Sequence, residues 1–139
     1  MPIASYLRPN EDHRLWIDGS FKDGVIGYGI VIMPGNKTLY GGGEGTSASE
    51  AEWLAARKAL EAVPQGASCA IYCDFLPVIK WLSTFDDSET GGRRIRVQYM
   101  NDNDPRHREA HDLANRGRRE AEEQLKLNRT TSSNPLDPS

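Results

Sequence analysis

The sequence has few cysteines, no long apolar run and no clear signal for export. Its two cysteines, Cys69 and Cys73, lie four residues apart in one predicted strand. That spacing puts them on one face but too far apart along an extended chain to form a disulfide, so we expect reduced thiols in the core. No apolar segment is long enough to cross a bilayer, and the opening stretch MPIASYLRPNEDHR lacks the apolar core of a signal peptide. We therefore expect a cytoplasmic protein with no membrane partner.

A strong excess of charge is also missing. The chain has 17 basic and 20 acidic residues, a net charge of -3. The field of the whole molecule therefore does not attract a polyanion, and any contact with nucleic acid requires a local basic patch. A length of 139 residues fits one domain that can bury a core without disulfides. Composition leaves monomer and dimer open.

The periodicity of apolar residues and the turn signals predict eight elements. They are strands at residues 15–18, 27–34 and 38–43, a helix at 49–63, a strand at 67–75, a helix at 76–85, a strand at 93–100 and an amphipathic helix at 106–125. The order βββαβαβα predicts an α/β fold, with helices packed on a mixed sheet. We expect one domain over residues 1–125 and a polar, disordered tail over residues 126–139.

Two predicted strands end in an acid. The apolar run 15–17 leads to Asp18 and then to a predicted turn at Gly19-Ser20, and the run 71–73 leads to Asp74 directly before a helix. Each acid has a structural explanation, because Asp is common in turns and at helix N-caps.

A third acid lies on the first predicted helix. At about 100° per residue, Glu52 falls on the apolar face, whereas Glu50 falls on the solvent face as an ordinary surface charge. The spacing from Ser49 to Glu52 fits a capping box, which would be a structural role. Otherwise a carboxylate that faces the sheet is costly to desolvate unless it is paired or coordinated.

Asp18, Glu52 and Asp74 together suggest a metal site. Clustered carboxylates repel one another unless a hard divalent cation such as Mg²⁺ or Mn²⁺ neutralises them. Two such ions held by carboxylates form the arrangement that cleaves phosphodiesters.

Four segments resemble the successive signatures of the ribonuclease H family, in the same order and spacing. They are IDGSF…GYGIVIM, SEAEWLAARKALE, IYCDFLPVIKWL and REAHDLAN, within about Leu15 to Ala121. The resemblance implies a ribonuclease H-like fold with a five-stranded mixed sheet flanked by helices. It also implies metal-dependent endonucleolytic cleavage of the RNA strand of RNA/DNA hybrids. Matched motif by motif, Asp18, Glu52 and Asp74 take the places of catalytic acids that hold two Mg²⁺ or Mn²⁺ ions, with Asp18 bridging both.

The fourth acid of the family is replaced here. Alignment on Leu113-Ala114 places His111 at that position, with Asp112 one step further on. His111 flanks the predicted buried stripe of its helix, whereas Asp112 points almost directly away from it. We therefore expect His111 to be the fourth catalytic and metal-binding residue, with a preference for Mn²⁺ over Mg²⁺. Asp112 as the ligand, or His111 as a structural histidine, are the alternatives.

Substrate contacts are expected from Gly19, Ser20, Ser49, Arg94 and His107. The resemblance suggests that His107, at the approach to the last helix, assists product release or water activation, with a solvated loop histidine as the alternative. Ser49 could donate to a ribose hydroxyl where relatives carry asparagine. Arg94 belongs to a predicted basic patch with the arginines at 93, 96, 106 and 108, which would contact phosphates or simply face solvent.

Two classes of function are compatible with these features. The first is a divalent-metal-dependent ribonuclease H that acts on RNA/DNA hybrids. The second is a non-catalytic ribonuclease H-like domain that binds nucleic acid or a protein, because a histidine replaces one acid and asparagines are missing before Glu52. A nuclease of the same fold with another substrate, such as branched DNA, is a third hypothesis.

Overall fold

The computed structural model describes residues 13–84, 92–101 and 103–132, with side chains through Arg129. The elements are β1 (His13–Lys22), β2 (Val25–Met33), β3 (Lys37–Glu44), α1 (Ala48–Ala62), β4 (Ser68–Cys73), α2 (Leu76–Ser83), β5 (Arg94–Tyr99) and α3 (Pro105–Ser132). The predicted order βββαβαβα and the α/β class with a five-stranded mixed sheet are confirmed. The predicted end of the second helix at residue 85 lies outside the described residues.

The sheet has the strand order β3-β2-β1-β4-β5. β1, β2 and β3 are antiparallel neighbours, whereas β1, β4 and β5 run parallel. The pairing of β1 with β4 ends at Trp16 and Tyr72. Asp18 and Asp74 each follow this last pair by two residues, so the parallel register brings them to the same edge of the sheet.

β1 is longer than predicted. It continues through Gly19 and Ser20, which pair with β2, and it turns only at Asp23-Gly24, where both residues have positive φ angles of 51° and 78°. The predicted turn at Gly19-Ser20 is therefore wrong, because pairing with β2 persists after the pairing with β4 has ended. As a result, β1 is paired with β2 at Asp18, and the pairing of its other edge with β4 has already ended.

The helices cover the two faces of the sheet unequally. α1 and α2 pack on one face over an apolar core that includes Leu15, Ile17 and Ile71. α3 packs on the other face across β1, β2 and β3. Cys69 and Cys73 are buried and free, as predicted.

α3 lies very close to the backbone of β2. A Cβ at Gly29 would collide with the backbone of Ala110 and Ala114, and one at Gly27 would collide with Ala114 and Arg118. Only glycine fits at these positions, because any side chain would push the helix outward. Residues that flank this contact on α3 can therefore reach β1 and β4.

α3 is the longest helix, with 28 residues, and it is strongly polar towards its end. It was predicted to end at Leu125, but it continues to Ser132. Residues 126–132 are therefore helical and not part of a tail, whereas residues 133–139 of the predicted tail lie outside the described residues. Within the described part of the chain, no helix is both long and apolar enough to span a membrane.

Candidate metal centre

Three acids from three elements meet at the edge of the sheet where β4 ends. Asp18 lies within β1 and is 4% exposed. Asp74 directly follows β4 and its side chain is 34% exposed. Glu52 reaches them from α1, on the opposite face of the sheet from α3. The predicted convergence of these three residues is therefore present in the structure, because burial and then the charges of both aspartates raise the pKa of Glu52.

Gly19 allows Glu52 to reach this position. A Cβ at Gly19 would lie 2.7 Å from the carbonyl carbon of Ala51 and 2.7 Å from the backbone nitrogen of Glu52. The missing side chain lets α1 approach the strand directly, and the Gly19 N–H donates to Glu52 Oε1 at 3.0 Å. The glycine after Asp18 thus sets the distance between the strand acid and the helix acid.

Glu52 has no capping role in α1. The N-cap is Ser47, whose Oγ accepts from the Glu50 N–H at 3.1 Å, and Glu50 Oε1 accepts from the Thr46 N–H at 2.7 Å. The predicted capping box of Ser49 and Glu52 is therefore wrong by two residues. Glu50 is not an ordinary surface charge either, because the Thr46 N–H holds the pKa of this carboxyl below its usual value.

Asp74 is not the N-cap residue of α2. The N-cap of that helix is Phe75, which makes no side-chain capping bond, and Pro77 lies at the start of the helix. The carboxylate of Asp74 lies beside the side chains of Asp18 and His107.

Burial and the charges of the cluster act together on Glu52. Burial raises the pKa of Glu52 to about 9, and the nearby charges of Asp18 and Asp74 add to the rise. In the absence of a cation, the carboxyl of Glu52 is therefore protonated at neutral pH. A divalent cation at this place would reverse the effect, because it favours the ionised form of every carboxyl around it.

His107 takes part in this cluster, whereas the sequence suggested a substrate contact or a solvated histidine for it. It lies in the first turn of α3, is completely buried, and its Nε2 is 3.9 Å from Asp74 Oδ2. One ligand atom from each of Asp18, Asp74 and His107 lies within 4.8 Å of the others. Two carboxylates and an imidazole are suitable donors for a divalent ion, so this group could hold one.

The start of α3 explains this position of His107. Asp104 Oδ1 accepts hydrogen bonds from the backbone N–H groups of Arg106 and His107, at 2.9 and 3.1 Å. Pro105 is the first residue of the helix, as is common at this position. The predicted start of the helix at residue 106 therefore agrees with the structure to within one residue, and the Asp-Pro pair is the sequence signal that supports it.

His111 also contacts the cluster, through Asp18. Its Nδ1 lies 2.8 Å from Asp18 Oδ2, and its side chain is 43% exposed. Asp112 is exposed, so the geometry favours His111 over Asp112, as the helical periodicity predicted. The group with metal-ligand spacing nevertheless contains His107 in place of His111.

The predicted substrate contacts are distributed differently. The Gly19 N–H donates to Glu52, and the Ser20 hydroxyl bonds to Asn115. Ser49 is exposed in the first turn of α1 and is accessible to a ligand. Arg94 pairs with Ser68 at the start of β4. At about 3.3 Å per residue, that is roughly 20 Å from Asp74, so Arg94 does not join the cluster.

No protein-family model matches this chain, and no curated protein is similar enough to be counted as a relative. The resemblance of the four segments to ribonucleases H therefore has no support from these comparisons. Evidence for a function comes from the chemistry of the cluster.

Proposed function

We propose that this protein is a divalent-metal-dependent endonuclease that hydrolyses the RNA strand of RNA/DNA hybrids. The observation that carries the proposal is the meeting of Asp18, Glu52 and Asp74, with the pKa of Glu52 raised to about 9. Burying acids together is costly, and a protein without a use for them gains more from apolar residues of similar size. Carboxyl groups with strongly shifted pKa values are typical of catalytic sites.

The architecture supports the same proposal. A five-stranded mixed sheet with three antiparallel strands, an αβαβ continuation and a last helix on the far face is compatible with a ribonuclease H-like fold. The residues that match the catalytic acids of that family are also the ones that meet at one edge of the sheet. Motif order and spatial convergence are separate observations, because one comes from the sequence and the other from strand register.

The donor set fits Mg²⁺ or Mn²⁺. Asp18, Asp74 and His107 would hold one ion, and Glu52 with Asp18 would contribute to a second. Such ions supply charge neutralisation and Lewis acidity for phosphodiester hydrolysis. The imidazole of His107 adds no negative charge and favours Mn²⁺ over Mg²⁺, as was expected for His111.

Residues of the chain itself hold these groups in place. The Gly19 N–H orients the carboxyl of Glu52, and His111 orients the carboxylate of Asp18. Ser49, exposed near Glu52 on α1, would donate to a 2′-hydroxyl, which is the group that distinguishes RNA from DNA.

Cleavage assays test the proposal directly. The full chain is incubated in Mg²⁺ or Mn²⁺ with an end-labelled RNA/DNA hybrid, the matching single-stranded RNA and the matching duplex DNA. We expect cleavage of the hybrid only, and its loss in Asp74→Asn. The matched control is Asp112→Asn, because this exposed aspartate on α3 makes the same change of charge away from the cluster and should retain activity.

Other outcomes point to the other hypotheses. A folded protein that cuts none of the three substrates in either ion would contradict an enzymatic role and favour a nucleic-acid-binding or protein-binding domain. Equal cleavage of duplex DNA would support a metal-dependent nuclease but would show that the hybrid is not its specific substrate.

A further inference from the structure

The part of the sheet beside α3 carries several arginines. α3 packs across β1, β2 and β3. On this side of the sheet the β4 residues Ser68, Ala70 and Tyr72 are buried, whereas Arg94 and Arg96 on β5 are exposed. The register pairs Arg14 with Ala70 and Ala70 with Arg96, which places both arginines on this face. Arg94 shares the face, two residues before Arg96. With Arg106 from the first turn of α3, they form what we call the arginine face (Arg14, Arg94, Arg96 and Arg106).

Two of these arginines meet at one aromatic ring. The Cζ atoms of Arg106 and Arg14 lie 5.2 and 5.7 Å from the ring centroid of Trp16, which stacks on Tyr72 at 4.9 Å. The indole N–H of Trp16 is buried and has no hydrogen-bond acceptor within the described residues. The two positive charges at the same ring are complementary to an anion, whereas the indole N–H lies beneath them and would report the binding of an anion without contacting it.

The third arginine is fixed to the same platform. Arg96 donates to the hydroxyl of Tyr72 at 3.4 Å and to Gln98 Oε1 at 2.9 Å. Two acids, Asp18 and Asp74, lie at the edge of this face and belong to the metal cluster. No other acid of β1, β4 or β5 lies on this face among the described residues. The chain as a whole carries a net charge of -3, so a general excess of basic residues does not explain why four arginines lie on one face.

We propose that the arginine face binds the phosphate backbone of nucleic acid and forms a second contact with the substrate, apart from the metal cluster. This inference rests on the proposed function, which supplies the nucleic acid. Arg94 lies roughly 20 Å along the sheet from Asp74, at about 3.3 Å per residue. At about 3.4 Å per nucleotide, Arg94 contacts a phosphate about six nucleotides away from the one that is cleaved, and the other three arginines contact phosphates nearer to it.

Salt-dependent binding tests this contact. Affinity for a fluorescently labelled RNA/DNA hybrid is measured by anisotropy in EDTA, at several salt concentrations, for Arg94→Gln/Arg106→Gln and for the control Lys37→Gln/Arg119→Gln. Both pairs remove two positive charges from exposed positions, but Lys37 lies on the far edge of the sheet and Arg119 on the outer side of α3. We expect roughly tenfold weaker binding for the arginine pair near 0.1 M salt, and a salt slope smaller by about two. The control should bind like the wild type.

A second readout separates binding from a structural role. Addition of the hybrid should shift the indole N–H resonance of Trp16, assigned with Trp16→Phe, and this shift should disappear in Arg14→Gln/Arg106→Gln while circular dichroism shows a folded protein. Equal affinity and equal salt slope for the two variant pairs would overturn the inference.

The two proposals can fail separately. If the chain cleaves the hybrid but the arginine and control pairs bind it equally well, the arginine face is not a substrate contact and the proposed function stands. If the hybrid is bound through the arginine face but never cleaved, the proposed function fails and the arginine face remains a binding site.

Discussion

His111 donates its Nδ1 proton to Asp18, and a chain of hydrogen bonds fixes this arrangement. Arg118 has only donors, so Ser20 Oγ accepts from its Nε at 3.0 Å and gives its own proton to Asn115 Oδ1 at 2.6 Å. Asn115 therefore turns its amide nitrogen towards His111 Nε2, at 3.3 Å. Nε2 then accepts and carries no proton, so the proton on Nδ1 is donated to Asp18 Oδ2 at 2.8 Å.

The first prediction concerns this tautomer. We expect long-range ¹H–¹⁵N NMR spectra of the metal-free protein near neutral pH to show His111 protonated at Nδ1. Asn115→Leu removes the donor to Nε2 and should produce a mixture of tautomers, whereas Asn128→Leu, an exposed change further along α3, should have no effect. A wild-type protein with the proton on Nε2 would contradict the proposed direction of the chain.

The second prediction is a dependence of stability on pH. The pKa of Glu52 is 4.5 before burial and about 9 in the fold, so the folded state holds a proton that the unfolded state releases between these values. The stabilising effect of that proton is complete below pH 4.5 and is lost as the pH rises through 9. In the metal-free protein, the contribution of Glu52 to the free energy of unfolding should fall by up to about 1.4 kcal/mol per pH unit within this window.

Denaturant unfolding between pH 5 and pH 9 checks this contribution. Glu52→Gln keeps a neutral side chain of the same size and should flatten the fall, so that the variant is more stable than the wild type at the alkaline end. Glu61→Gln, at an exposed position of the same helix, should leave the pH dependence unchanged. A wild-type profile as flat as that of Glu52→Gln would show that Glu52 ionises normally.

Much of the fold could be predicted from the sequence, because its signals are local. The apolar runs, the turn residues and the helical period gave the order of elements, and the two acids at the ends of apolar runs are brought together by parallel pairing. The end of β1 could not be predicted in this way. Gly19-Ser20 has the composition of a turn, but continued pairing with β2 overrides that preference.

The sequence predicted which acids form the candidate site, but it predicted the roles of the histidines only in part. Glu52 was found because a carboxylate on an apolar helix face is unusual. The role of His107 depends on where α3 begins and on how closely it packs against Gly29, and that contact joins residues far apart in the sequence. The capping box was misplaced by two residues because Ser47 and Ser49 are both suitable caps, and only the bond to Glu50 distinguishes them.

The third prediction compares the two histidines as metal ligands. His107 shares the Asp18 and Asp74 group, whereas His111 uses its Nδ1 proton in the bond to Asp18. We therefore expect His107→Asn to weaken Mn²⁺ binding by about tenfold or more, and His111→Asn to weaken it less. Binding is measured by the electron paramagnetic resonance signal of free Mn²⁺, with folding checked by circular dichroism. A larger loss for His111→Asn would identify His111 as the ligand.

The last prediction concerns the distance between β1 and α1. Gly19→Ala places a Cβ 2.7 Å from the backbone of Ala51 and Glu52, so the helix has to move. Backbone shifts of this kind cost about 1–3 kcal/mol, and this one also draws the Glu52 carboxyl away from the aspartates. Both the free energy of unfolding and the cleavage of hybrid should therefore fall.

Gly43→Ala is the matched control, because a Cβ at Gly43 in β3 meets nothing within 4 Å. Its effect on stability should stay within about 0.5 kcal/mol. The two substitutions add the same methyl group to strands of the same sheet, so a difference between them measures the close approach of α1 alone. If Gly19→Ala were as stable and as active as Gly43→Ala, α1 would not need to touch β1 for Glu52 to act, and the proposed geometry of the three acids would be wrong.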